Sequence, residues 1–139
     1  MTINQIQDEI IADFSLLDDW MDRYEMIIEM GNELSPMPES DKTPQHLIEG
    51  CQSRVWISGQ LDSNHRLQLQ ADSDAVIVKG IIAMLLKVLS GQTPADILHA
   101  DLYFIDKIGL KEHLSPTRSN GLLSMVRHIK LLASTLIPQ

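Results

Sequence analysis

The chain has 139 residues, 44% of them hydrophobic and 22% charged, with a formal net charge of −8 and a single cysteine. Such a length fits one domain able to bury a core, and a lone thiol excludes an internal disulfide, a CxxC redox pair and a thiolate-rich metal site within one chain. The acid surplus argues against a nucleic-acid partner, and the longest apolar run, residues 75–89, is broken by Lys79, Gly80 and Lys87 and does not suit a bilayer.

Ile3, Ile6, Ile10, Phe14 and Leu17 recur at helical spacing and predict a first amphipathic helix, with Asp8, Glu9 and Asp13 off its apolar face. A second helix is expected from Asp18 or Asp19, striped by Trp20, Tyr24, Ile27 and Ile28 and ending near Gly31. Pro36, Pro38 and Pro44 mark residues 35–46 as an irregular connection. Residues 54–60 are rich in Val, Trp and Ile, and residues 66–71 alternate Leu67 and Leu69 with Gln68 and Gln70. With Asp62-Ser63-Asn64 between them, they predict an antiparallel hairpin with one wet face. Asp72, Ser73 and Asp74 suit the cap and first turn of a nearly all-apolar helix ending near Gly91 and buried on the sheet. Thr93-Pro94 opens a short helix, and Ser115-Pro116 the last one, striped by Leu122, Val126, Ile129 and Leu136. Helices, hairpin, helices is an α+β order: a small antiparallel sheet covered by helices, in one domain over residues 1–139.

Charge is uneven. Residues 1–50 hold twelve acids against two bases, Arg23 and Lys42, whereas residues 51–139 hold seven against nine. The acidic helices read either as solvated faces or as a surface that steers toward a basic partner protein. No nucleotide-binding glycine loop is present. The histidines at 46, 65, 99, 113 and 128 show no HxxxH spacing and read as surface or capping residues, and no metal is expected. Residues 1–13 carry no Lys or Arg, so no export signal is expected; with a lone thiol this points to the cytoplasm.

Cys51 lies between Gly50 and Gln52-Ser53-Arg54, just before the first strand. A lone cysteine can be simply a small buried hydrophobe. Gly50, however, allows unusual backbone angles, Gln52 and Ser53 offer hydrogen-bond donors, and Arg54 adds positive charge. Any chemistry at Cys51 is therefore intermolecular. A thiol-dependent redox or hydrolytic enzyme would need a base, with His46 the nearest in sequence, and has no resolving cysteine. A structural adaptor with an inert cysteine is the third possibility.

Ile48, Gly50-Cys51-Gln52-Ser53, Val55 and Trp56 resemble the SufE family of sulfur acceptors in iron–sulfur cluster assembly. The likeness continues through Asp72-Ser73-Asp74-Ala75, Ile77-Val78-Lys79-Gly80 and Thr93-Pro94 to Leu114, Pro116, Arg118, Gly121-Leu122 and Met125, in the family's order. The resemblance implies a two-layer fold like that of IscU-type scaffolds. It implies that Cys51 takes a persulfide from a SufS-like cysteine desulfurase and passes it to an iron–sulfur scaffold complex. Pyridoxal phosphate is expected on the desulfurase, with no cofactor on this chain. Gly50, Gln52, Ser53 and Arg118 are implied at the partner surface, the cysteine loop resting in a sheltered pocket. Asp74 is implied there too, or else as a helix cap. A monomer or weak homodimer is expected.

Overall fold

The computed structural model describes residues 1–137. Thr2 opens α1 (Ile3–Ser15) with a capping box: its hydroxyl accepts from the Gln5 N–H, and the Gln5 side chain accepts from the Thr2 N–H. Ile3, Ile10 and Phe14 are buried, but Ile6 is only half-buried, and Gln7 is buried among them. Its amide donates to the Asp101 carbonyl (3.0 Å) and accepts from the Phe104 N–H (3.1 Å), so a polar core residue is satisfied and ties α1 to residues 101–104.

Asp19 caps α2 (Trp20–Asn32) by accepting from the Met21 N–H. Of the expected stripe only Ile27 is fully buried; Trp20, Tyr24 and Ile28 are half-buried. Trp20 stacks on His113 at 3.7 Å between ring centroids, and Tyr24 donates to the His113 carbonyl at 2.6 Å. The aromatic end of α2 thus covers the segment before the last helix, with Tyr24 also packed against the edge of the core.

β1 (Val55–Leu61) and β2 (Leu67–Ser73) form the antiparallel hairpin, in register from Val55↔Ser73 to Leu61↔Leu67. Leu67, Leu69 and Ala71 are buried while Gln68 and Gln70 face solvent, giving the expected wet face. Asp62 closes the turn by accepting from the N–H groups of Asn64 and Arg66. Two further bridges widen the ladder: Leu47 pairs with Trp56, and Leu67 with Gln92.

The apolar helix is α3 (Val76–Leu89), with ten of its fourteen residues buried. It packs on β2, on α1 and most closely on α2. At that crossing glycine meets glycine: a Cβ on Gly31 would stand 2.8 Å from the Gly80 nitrogen. Its start differs from the expectation. Ala75 is the N-cap and makes no side-chain cap bond, because Asp72 and Ser73 are held in the β2 ladder. The Asp72 carboxylate faces Lys42 at 2.8 Å and Lys79 at 3.5 Å. Partial burial works to raise that carboxyl, but hydrogen bonds from Lys42 and the Ser73 N–H, with the charges of Lys79 and Lys42, hold it below the ordinary range.

α4 (Pro94–His99) starts on a Thr93 cap with Pro94 in its first turn. Two single-turn helices that apolar spacing did not reveal follow, α5 (Phe104–Lys107) and α6 (Leu110–His113). Ser115 caps α7 (Pro116–Thr135), whose buried residues are Gly121, Leu122, Met125, Ile129 and Ala133. Val126 and Leu136, placed on the stripe from sequence, are half-buried beside it. α7 packs on α4 and α3 and backs the segment that carries the cysteine. Among the described residues no helix is long and apolar enough to cross a membrane.

Candidate functional site: the Cys51 loop and its seat

The loop that carries the thiol is closed at its base. The Ile48 N–H donates to the Val55 carbonyl (2.8 Å) and the Ile57 N–H to the His46 carbonyl (2.9 Å), so residues 49–54 bulge out between two paired segments. Gly50 has φ +89°, in the left-handed region, and a Cβ there would lie 2.6 Å from the Ser124 hydroxyl of α7. Glycine is required twice over, for the turn and for the approach. Cys51 follows with its Sγ 3.7 Å from the Gly121 carbonyl, a weak S–H contact. A side chain on Gly121 would meet that sulfur at 3.4 Å. Gly121 and Ser124, one turn apart, are thus the small-residue seat of the loop. Gly121 stood in the sequence motif; Ser124 carried no signal beyond being small and three residues on.

Asp74 holds the other end of the loop. Its carboxylate accepts from the Arg54 N–H (3.0 Å), and its own N–H donates to the Arg54 carbonyl (3.2 Å). The helix-cap expectation for Asp74 is therefore corrected: the chain at 74 still runs alongside 54, which turns the carboxylate toward the cysteine loop before α3 begins. Asp74 itself is exposed.

Beside the thiol lies a cavity of about 400 Å³ with Val78, Ile81 and Met125 as its apolar side and Gln52, Ser53 and Arg118 among its polar ones. Cys51 and Ser53 are half-buried; Gly50, Gln52 and Arg118 are exposed. The backbone N–H of Arg118 is capped by Ser115 Oγ at 3.2 Å. Its guanidinium makes no ion pair among the described residues. Burial pushes the Cys51 thiol above its ordinary pKa. The cavity lining includes no imidazole and no carboxylate. His46 does not line the cavity, and its Nδ1 donates to the Asp41 carbonyl at 2.6 Å. Among the described residues no three His, Cys, Asp or Glu side chains gather to hold a metal ion. The arrangement is a protonated thiol in a recess, without a base, on a loop fixed at its base and lightly held at its tip.

A family model for SufE, an Fe-S metabolism associated domain, matches residues 8–133. An uncharacterized SufE-like protein of Rhizobium meliloti is 42% identical over 135 residues, covering 94% of this chain and 96% of that one. The solution structure of a hypothetical protein from Thermus thermophilus superposes with a TM-score of 0.78 over 94% of this chain and 95% of that one. At 19% identity the last is a likeness of fold.

Proposed function

The chain belongs to the SufE family, associated with iron–sulfur metabolism, and we propose that within it Cys51 accepts sulfur as a persulfide from a cysteine desulfurase and delivers it to an iron–sulfur scaffold. The observation that carries this reading is the chain's only thiol, sited on a base-closed loop beside a cavity with no catalytic base. A hydrolase or peroxidase would need a base or a resolving thiol at the sulfur. A sulfur acceptor needs neither, because both nucleophile and leaving group are sulfur.

The step is a thiol–persulfide exchange. The Cys51 thiolate attacks the outer sulfur of the donor's S–SH group; a new S–S bond forms on Cys51 as the donor's S–S bond breaks. The donor's cysteine leaves as thiolate and takes up a proton, so no outside oxidant or reductant is needed. Pyridoxal phosphate belongs to the desulfurase, where it frees the sulfur from cysteine.

Magnitudes say where the rate comes from. An ordinary thiol with a pKa of about 8.5 is only about 3% thiolate at pH 7, and the half-buried Cys51 holds its proton more tightly still. Lowering a thiol pKa by two units raises the thiolate about 25-fold but costs about tenfold in nucleophilicity, a net gain of about two- to threefold. Holding two sulfurs in line contributes far more. Docking geometry therefore dominates. The loop suits it: Asp74 and the Ile48–Val55 bond fix its ends, while one 3.7 Å thiol contact and the Gly50–Ser124 contact hold its tip. Arg118, which lines the cavity and makes no ion pair among the described residues, offers its planar fork to a carboxylate of the donor.

The test is sulfide release by a purified cysteine desulfurase given cysteine and reductant, with and without this chain. The parent stimulates release and Cys51→Ser does not. Equal stimulation by the serine variant would remove the covalent role and leave the inert-cysteine adaptor.

A further inference from the structure

α1 and α2 both pack on α3, and an open trough runs between them. Its wide end, about 440 Å³, lies between Leu16 and Leu17 at the close of α1 and Met26 of α2. Its narrow end, about 150 Å³, continues over Phe14 and Met30 to Lys87 of α3. Asp13, Met26 and Glu29 line both ends, so the two form one groove. Large apolar side chains are left in solvent beside it: Leu16 is 80% exposed, and Met21, one turn before Glu25, is 65% exposed.

The α1 and α2 walls carry only acids, and the one cation in the lining is Lys87 of α3 at the narrow end. Asp13 stands on α1, and Asp22, Glu25 and Glu29 run along α2 to Glu33 just past its end, all exposed. None of the five makes an ion pair among the described residues. Neither base of residues 1–50 pairs with these five acids: Arg23 donates to the Leu17 and Ile108 carbonyls, and Lys42 pairs with Glu39 and Asp72. Glu25 and Glu29 are four apart on one helix, as are Glu29 and Glu33, and like charges at that spacing repel.

We propose that this trough docks a basic amphipathic helix of a partner protein. An apolar floor calls for an apolar stripe, and two acidic walls call for Lys or Arg on both flanks of that stripe. Met26 and Met30 supply a deformable floor that can repack around such a helix. From Asp22 to Glu33 the wall runs about 16 Å, room for about three turns of a partner helix. Nucleic acids and anionic membranes are repelled by the same walls. The trough shares no residue with the Cys51 cavity: on α3 the cavity uses Val78 and Ile81, and the trough uses Lys87, about 9 Å further along the axis. A partner is thus held here while the thiol stays accessible, whatever chemistry the thiol performs.

The test uses the full chain and a labelled synthetic helical peptide with leucines at i, i+3 and i+7 between lysine-rich flanks. Its control is a permuted peptide of identical composition that lacks the stripe. The striped peptide binds at least about tenfold more tightly than the permuted one, and the paired reversal Glu25→Lys with Glu29→Lys weakens it by about tenfold or more. Leu16→Ser weakens it without changing the melting temperature, while Cys51→Ser and the distant reversal Asp106→Lys leave it unchanged. Equal binding of the two peptides, or indifference to the paired reversal, overturns the proposal. So does concentration-dependent self-association of the parent chain that the paired reversal abolishes, because the trough would then belong to a second copy.

Discussion

Glycine brings two segments together at two places in this molecule, with opposite results. Where α2 crosses α3, Gly31 and Gly80 let backbone meet backbone, and the neighbours Ile27, Ile81 and Met84 are fully buried. Where the cysteine loop meets α7, the exposed Gly50 faces the half-buried Ser124 side chain, and the buried Gly121 faces the half-buried Cys51 side chain. The crossing has nothing that can yield, because any added atom strikes main chain. The seat can yield, because its contacts are the ends of side chains. A fixed core and a lightly held thiol come from the same residue type, and what the glycine touches decides which.

The contrast can be broken at its rigid side first. Gly80→Ala places a methyl against the α2 backbone and costs about 3 kcal/mol, read as a lower urea midpoint. An unchanged midpoint would mean that the crossing can relax and that it yields as the cysteine seat does. On the yielding side, Gly121→Ala pushes a methyl toward Sγ. Stability changes by less than about 1 kcal/mol, while alkylation of Cys51 by iodoacetamide at fixed pH speeds several-fold as the thiol leaves its recess. Asp74→Ala acts on the same seat from its other end. It removes one acceptor from the Arg54 N–H and costs about 1 kcal/mol, again with faster alkylation. Slower alkylation in either variant would contradict a seat that shelters the sulfur.

A subtler difference is chemical. Burial raises the Cys51 pKa, so the native thiol holds its proton more tightly than the unfolded one. That contribution to stability is fully present below the unfolded thiol's pKa, about 8.5, and is lost as pH rises through the higher folded value. Unfolding free energy of the parent therefore falls in alkaline solution relative to Cys51→Ser. Identical pH profiles would show that the thiol is not desolvated. The smallest effect on the fold belongs to Arg118→Ala, which changes stability by less than about 1 kcal/mol but raises the concentration needed for half-maximal desulfurase stimulation. A large loss of stability with unchanged stimulation would make Arg118 an internal tether.

Periodicity made most of the architecture legible. Apolar spacing marked α1, α2, α3 and α7, Thr93-Pro94 and Ser115-Pro116 marked helix starts, and alternation marked the hairpin. What it could not show depends on distant partners. Gln7 is buried because Asp101 and Phe104 satisfy it, and the 46–48 segment is ordered by pairing with β1. α5 and α6 are each a single turn, too short to develop a period. At the site, Cys51 and its glycine were legible in the local motif. The helix-cap reading of Asp74 failed because its acceptor role depends on Arg54, twenty residues away in sequence. Ser124 stayed hidden because its importance lies in how little space it takes.

The account rests on sulfur arriving at one atom. After the chain is incubated with a cysteine desulfurase and limiting cysteine, then trapped with an alkylating reagent, peptide mass mapping locates any added sulfur. The expected result is a reductant-labile extra sulfur on the peptide containing Cys51, absent without desulfurase and absent from Cys51→Ser. Stimulated desulfurase turnover with no sulfur on that peptide at any time would contradict the account.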